Sequence, residues 1–97
     1  MSPDLSAQIC GVSFPSGIMN ASGALCMTEA ELLELGASGS GAVVTKSMTR
    51  EPRQGNPEPR YYEFSLGSLN SMGLPNLGYR AYGELLPRLR AFGKPVV

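Results

Sequence analysis

The string Asn70-Ser71-Met72-Gly73-Leu74-Pro75-Asn76 combines carboxamide side chains, a run of backbone N–H donors and turn-forming residues in one short polar stretch. Such a composition can hold a small anion. Gly73 lets backbone approach a ligand where a side chain would block it, and Gly67 and Gly78 bracket the stretch. Upstream, in order and at short spacings, lie Asn20-Ala21-Ser22-Gly23, Thr45-Lys46-Ser47 and Gly55-Asn56-Pro57-Glu58-Pro59-Arg60-Tyr61. Taken one at a time these are ordinary: Ser22-Gly23 fits a turn, Lys46 a solvated lysine at a strand end, and Asn70 to Asn76 a surface loop. Arg50, Arg53 and Arg60 alternate with Glu51, Glu58 and Glu63, so the region around Arg60 also fits an exposed, charge-balanced loop.

The elements that must position these residues follow a strand–helix–strand order. Ala7 to Cys10 and Val12 to Phe14 flank Gly11 and predict a hairpin, which leads through Pro15 and Gly17 into a strand over Ile18 to Asn20. Thr28-Glu29-Ala30-Glu31 is a capping box, with Met27 and Leu32 available as a hydrophobic staple. The helix it opens is predicted to run to Leu35 and end at Gly36, ahead of a strand over Ala42 to Thr45. From Met48 to Pro59 charge, Pro and Gly without a sustained period predict a long ordered loop. Tyr82, Leu85, Leu86, Leu89 and Phe92 recur at helical spacing, so an amphipathic helix is predicted from Tyr79 to Phe92, kinked or broken at Pro87. Pro95-Val96-Val97 then reads as the start of another strand. In a parallel α/β barrel the site forms where loops leave the carboxyl ends of the strands. Ala21-Ser22-Gly23 and Lys46-Ser47 follow two successive predicted strands, which places both on one face.

Eight basic residues balance eight acidic ones and histidine is absent, so no basic stripe invites nucleic acid and no histidine can ligate a metal or act as a base. Cys10 and Cys26 lack any Cys-x-x-Cys spacing and suit reduced thiols, although a disulfide stays open. The start, Met1-Ser2-Pro3-Asp4, has no basic and apolar leader pattern, and no apolar run reaches the length of a membrane span. The expectation is a cytoplasmic chain without metal, nucleic-acid or membrane partners.

On the four segments quoted above, the chain resembles the N-terminal portion of the dihydroorotate dehydrogenase family in its soluble class 1A form, for which Asn-Ser-Met-Gly-Leu-Pro-Asn is characteristic. The resemblance runs from Phe14 to Val97. It implies an α/β fold, the N-terminal part of a (β/α)8 TIM barrel with a leading β-hairpin, truncated at the third strand. Because such a barrel takes about 250 residues, residues 1–97 are expected to be an N-terminal fragment of a single FMN-binding domain. The resemblance further implies FMN with Ala21, Ser22 and Gly23 against the flavin and Lys46 and Ser47 at its polar edge. Lys46 also pairs with the substrate carboxylate on this view, together with Asn70, Ser71, Met72, Gly73 and Leu74, and Pro59 and Arg60 belong to a loop beside the site. The implied reaction is oxidation of dihydroorotate to orotate in pyrimidine synthesis, with hydride passing to FMN and then to fumarate, in a cytoplasmic homodimer. The family's cysteine base belongs to a loop beyond Val97, and neither Cys10 nor Cys26 matches its motif, so no catalytic residue is expected within the chain. Cys26, just before a helix start, is expected to be a small buried residue. Two alternatives stand beside this: a related flavin barrel that reduces pyrimidines with a partner's electrons, and a non-catalytic truncated product.

Overall fold

The computed structural model describes residues 3–97, so Met1 and Ser2, part of the stretch read for a leader, lie outside it. The predicted hairpin forms: β1 (Ala7–Ile9) pairs antiparallel with β2 (Val12–Phe14), Ile9 opposite Val12, and Cys10 and Gly11 make the turn with positive φ. Phe14 is buried at its end.

The predicted strand Ile18 to Asn20 is not a ladder strand. The segment runs beside residues 41–44, but a side chain does most of the pairing. Gly41 N–H donates to the Ile18 carbonyl at 2.7 Å, whereas Val44 is bound on both sides by Asn20, whose Nδ2 donates to the Val44 carbonyl (2.8 Å) and whose Oδ1 accepts from Val44 N–H (2.9 Å). A carboxamide offers the same donor and acceptor as a peptide, so Asn20 continues the pairing without backbone register. The second predicted strand, Ala42 to Thr45, and the third, at Val96, meet in a single parallel bridge, Val43 to Val96. Three bonds carry it: Val43 N–H to Pro95 O (2.9 Å), Val97 N–H to Val43 O (2.8 Å) and Thr45 N–H to Val97 O (2.8 Å).

Helix α1 (Glu29–Ala37) opens on the predicted capping box, with Glu31 N–H donating to Thr28 Oγ1 at 3.2 Å and Thr28 N–H donating to Glu31 Oε1 at 2.9 Å. Such caps stabilise a helix by about 1 kcal/mol. The helix does not stop at Gly36. It runs on to Ala37 and is closed by Ser38, whose N–H and hydroxyl both donate to the Leu35 carbonyl. Gly36 has a packing role instead, because a Cβ there would collide with the Phe92 ring.

Between the two helices the chain makes a second hairpin that the sequence reading does not contain. β3 (Tyr61–Phe64) pairs antiparallel with β4 (Gly67–Asn70), placing Tyr61 opposite Asn70 and Tyr62 opposite Leu69. All eight strand residues are exposed, and the two-residue turn Ser65-Leu66 lacks the Asn-Gly chemistry that marks tight hairpins. Asn70 and Gly67 therefore belong to a strand, not to a loop and its border.

Helix α2 (Tyr79–Arg90) continues through Pro87 without a break. Gly83 and Pro87 both lie on its exposed side, so the carbonyl that Pro87 cannot satisfy is open to water. Its opposite face carries Tyr82, Leu85 and Leu89, which form one core with Cys26, Leu32 and Val43. Fully burying each such aliphatic side chain contributes roughly 1.5–3 kcal/mol. An Arg88–Glu29 ion pair ties α2 to α1 at the surface.

The Tyr82 hydroxyl reaches across this core, donating to the Met27 carbonyl at 2.8 Å and accepting from Leu77 N–H at 3.3 Å. Burial, foremost, raises its pKa above the ordinary 10.0. The folded protein thus keeps this proton when the unfolded chain has lost it. Its stabilising contribution is fully present below pH 10.0 and is lost as pH climbs from there through the higher folded value. Tyr82→Phe is expected to flatten the fall of the urea midpoint above pH 10, measured against wild type from pH 7 to 11. An identical slope in the two proteins would remove Tyr82 as its source.

Candidate functional site

Lys46 leaves the end of the Val43–Thr45 segment, and its N–H donates to the Cys26 carbonyl at 3.2 Å. Cys26 in turn organises the preceding turn: its sulfur accepts from Gly23 N–H at 3.2 Å and donates to the Gly23 carbonyl at 3.3 Å. Buried Cys26 therefore has the small structural role expected of it, and it links Gly23 to Lys46.

Gly23, Ala24, Lys46, Tyr61, Asn70, Met72, Gly73 and Leu74 line one open cleft of about 510 Å3. That volume lies within the range of small-molecule sites, about 300–1,000 Å3. Six residues drawn from three separate segments of the sequence reading, Gly23, Lys46, Asn70, Met72, Gly73 and Leu74, thus meet in space, with Met72 and Leu74 as the apolar wall. Among the described residues no carboxylate lies within ion-pair distance of the Lys46 ammonium. None accepts a hydrogen bond from the N–H of Met72, Gly73 or Leu74 either.

Ala21, Ser22, Ser47 and Ser71 do not line this cleft. Ser22 Oγ accepts from Ser47 N–H at 3.0 Å, which joins the two strand-end turns behind Lys46. The Ala21 carbonyl accepts from Asn20 Nδ2 at 3.2 Å. Ser71 N–H donates to the Arg60 carbonyl at 2.8 Å, continuing the β3–β4 pairing. A shallower hollow of about 300 Å3 on the other side of Asn70 is lined by Pro59, Arg60, Tyr61, Tyr62, Leu69, Asn70 and Ser71. There the Arg60 guanidinium is committed to its own loop. It pairs with Glu58 at 3.1 Å and donates to the carbonyls of Gln54 (2.7 Å) and Asn56 (3.3 Å). Pro59 follows a cis peptide bond.

The two asparagines of the 70–76 string have opposite fates. Asn70 is exposed at the end of β4, where its carboxamide faces the cleft residues without a partner among the described residues. Asn76 is buried and fully bonded: its Oδ1 accepts from Gly78 N–H (2.8 Å) and Thr49 N–H (3.1 Å), and its Nδ2 donates to Thr49 Oγ1 (3.0 Å) and the Leu74 carbonyl (3.0 Å). It anchors the start of α2 to the 49–53 segment. Ala24 and Tyr61 are cleft residues to which the sequence reading assigns no role. Ala24 is adjacent to Gly23, and Tyr61 becomes visible only once β3 and β4 are paired.

Chemically, the cleft offers one ammonium, one carboxamide, three unused peptide donors and apolar walls. That donor set suits an anionic, planar ligand, and the polar edge of a flavin meets it equally well. Among the described residues no group of three or more His, Cys, Asp or Glu is placed to hold a metal, and no helix is long and apolar enough to cross a membrane.

The family model described as dihydroorotate dehydrogenase matches residues 4–92. The chain is 54% identical over 81 residues to dihydroorotate dehydrogenase (fumarate) of Trypanosoma cruzi, covering 84% of this chain and 26% of that protein. It is 54% identical over 78 residues to dihydroorotate dehydrogenase A (fumarate) of Lactococcus lactis subsp. lactis, covering 80% and 25%. A crystal structure of ligand-free DHODH from Eimeria tenella superposes with a TM-score of 0.72 at 24% identity, over 91% of this chain and 25% of that one. The chain thus spans about a quarter of the length of the relatives it matches. Its fold is the N-terminal part of a (β/α)8 barrel with a leading hairpin.

Proposed function

We propose, because this chain belongs to the dihydroorotate dehydrogenase family, that residues 1–97 supply the N-terminal portion of an FMN-binding barrel that oxidises dihydroorotate to orotate. The single observation that carries this reading is the shared cleft, which Lys46, Asn70, Met72, Gly73 and Leu74 line together. On this reading Lys46 and the three peptide donors bind the substrate carboxylate, Asn70 hydrogen-bonds the pyrimidine, and Met72 and Leu74 exclude water from the ring. Gly23 and the adjoining Ala21 and Ser22 lie toward the cofactor, with Ser47 tied to Ser22 behind it. FMN, when bound, supplies the hydride acceptor. The base that takes the substrate proton is a cysteine outside these residues. Fumarate, the word in the relatives' names, is the electron acceptor on the same reading, and the protein is a cytoplasmic homodimer acting in pyrimidine synthesis. Anaerobic assay of the complete barrel protein with dihydroorotate and fumarate tests it: orotate should form in step with succinate. A flavoprotein that turns over neither would end the proposal.

Asn70→Ala is expected to weaken orotate binding by about 1–3 kcal/mol, because an amide that pairs with a polar ligand is removed from the site. Flavin content should be largely retained. Titration of orotate against flavin absorbance measures this, and an unchanged dissociation constant would take Asn70 out of the substrate site.

A further inference from the structure

We infer that Asn56 is a positioning residue: without touching the ligand, it turns the peptide N–H groups of Met72 and Gly73 toward the cleft by holding the carbonyl edge of the same peptides, a row that Arg53 extends to the Leu74 N–H. Asn56 Nδ2 donates to the Ser71 carbonyl at 2.9 Å and to Ser71 Oγ at 3.1 Å, and Asn56 N–H donates to the Met72 carbonyl at 2.9 Å. Arg53 Nε completes the row by donating to the Gly73 carbonyl at 3.2 Å. Three consecutive carbonyls therefore face the 53–56 segment.

The peptides between Ser71 and Leu74 are trans, since the cis bond of the described chain lies at Glu58–Pro59. In a trans peptide the C=O and N–H of one unit point in opposite directions. Fixing the carbonyls of Ser71, Met72 and Gly73 on the 53–56 side thus sends the N–H groups of Met72, Gly73 and Leu74 the other way. The cleft lies on that side: these three residues line it, and none of residues 53–56 does. An extended chain would alternate its carbonyls between two sides. Left-handed backbone at Gly73 (φ 77°) breaks that alternation between the Met72 and Gly73 carbonyls, and Leu74 (φ 57°) follows it in the same region. For Leu74 that conformation is strained, and it persists where surrounding bonds over-determine it. Asn56 also sits flush against the row, since a Cβ on Gly73 would lie 2.6 Å from its carboxamide.

Three parallel donors beside one ammonium recognise a carboxylate, so Asn56 sets selectivity for the charged group of the ligand. This rests on the substrate reading proposed above. The test measures, by calorimetry on the complete flavin-loaded protein, the dissociation constants of orotate and of its uncharged carboxamide. Wild type should prefer orotate. Asn56→Ala should weaken orotate about tenfold, the loss of one hydrogen bond to a charge-binding row, while changing carboxamide affinity less than about twofold. Asn56→Asp, isosteric and still able to donate from its N–H to Met72, puts an acceptor against the Ser71 carbonyl and should show the same selective loss; it carries the comparison if the alanine variant does not fold. Variants that keep the wild-type preference, or that weaken both ligands equally, would reduce Asn56 to a structural residue while leaving the substrate reading intact. A wild-type protein that binds no orotate would instead overturn that reading, and this inference with it.

Discussion

Lys46→Ala in the complete barrel protein is expected to slow bleaching of the bound flavin by dihydroorotate by about 10²–10³-fold, the effect of removing one preorganised charge from a reacting site. Lys46 is held from below by its own backbone bond to Cys26 and lines the cleft beside Asn70 and Gly73. Two of the other long cations contrast with it. Arg60 is paired with Glu58 and Arg88 with Glu29, whereas Lys46 has no carboxylate within ion-pair distance among the described residues. On the proposed reading its counter-charge is the ligand carboxylate that enters the cleft. Lys46→Arg should recover only part of the rate, because a planar guanidinium does not place its charge where a compact ammonium does. Stopped-flow absorbance reads the effect. Near-normal bleaching with unchanged orotate affinity would return Lys46 to the surface.

Expressed alone, residues 1–97 are expected to hold no stoichiometric FMN and to show no dihydroorotate oxidation. The described core is small, built on Cys26, Leu32, Val43, Tyr82, Leu85 and Leu89. Around it, large apolar side chains face solvent, including Ile18 (78% exposed), Leu25 (76%) and Leu66 (92%). The parallel pairing of Val43 with Val96 is one bridge wide, and a parallel pair exposed at its edges is a template for association. Chemistry adds a second, independent reason. Lys46 and Asn70 can orient a carboxylate, but neither removes a carbon-bound proton at neutral pH. Circular dichroism, flavin content and dye reduction on the purified chain check both, and a monomeric, cooperatively folded, yellow and active product would contradict them.

The β3–β4 hairpin illustrates how placement, not residue type, makes a site residue. Tyr61 and Asn70 are cross-strand partners and share one face, which lines the cleft, while Tyr62 and Leu69 are partners on the opposite face and do not line it. Adjacent residues in a strand point to opposite sides. A shift of one residue in the pairing would exchange Tyr61 for Tyr62 in the cleft and take Asn70 out of it.

What the sequence determined by itself lies within the reach of a few neighbouring residues. The Thr28–Glu31 capping box, the turn at Cys10-Gly11 and the Tyr82, Leu85 and Leu89 part of the predicted apolar face of α2 each depend on contacts three or four positions apart and form, whereas Leu86 stays half-buried and Phe92 falls beyond the helix end at Arg90. The string from Asn70 to Asn76 likewise marks the cleft, to which it supplies Asn70, Met72, Gly73 and Leu74. Tertiary structure decided the rest. It made Asn20 a substitute for a strand partner, Gly36 a seat for Phe92, and Arg60 a brace for its own loop. Above all, it separated Asn70 from Asn76. Two identical side chains six positions apart differ because Thr49 bonds Asn76 into the interior and Tyr61 pairs with Asn70 at the cleft. Those partners are distant in the chain, and no local pattern encodes which carboxamide they will bury.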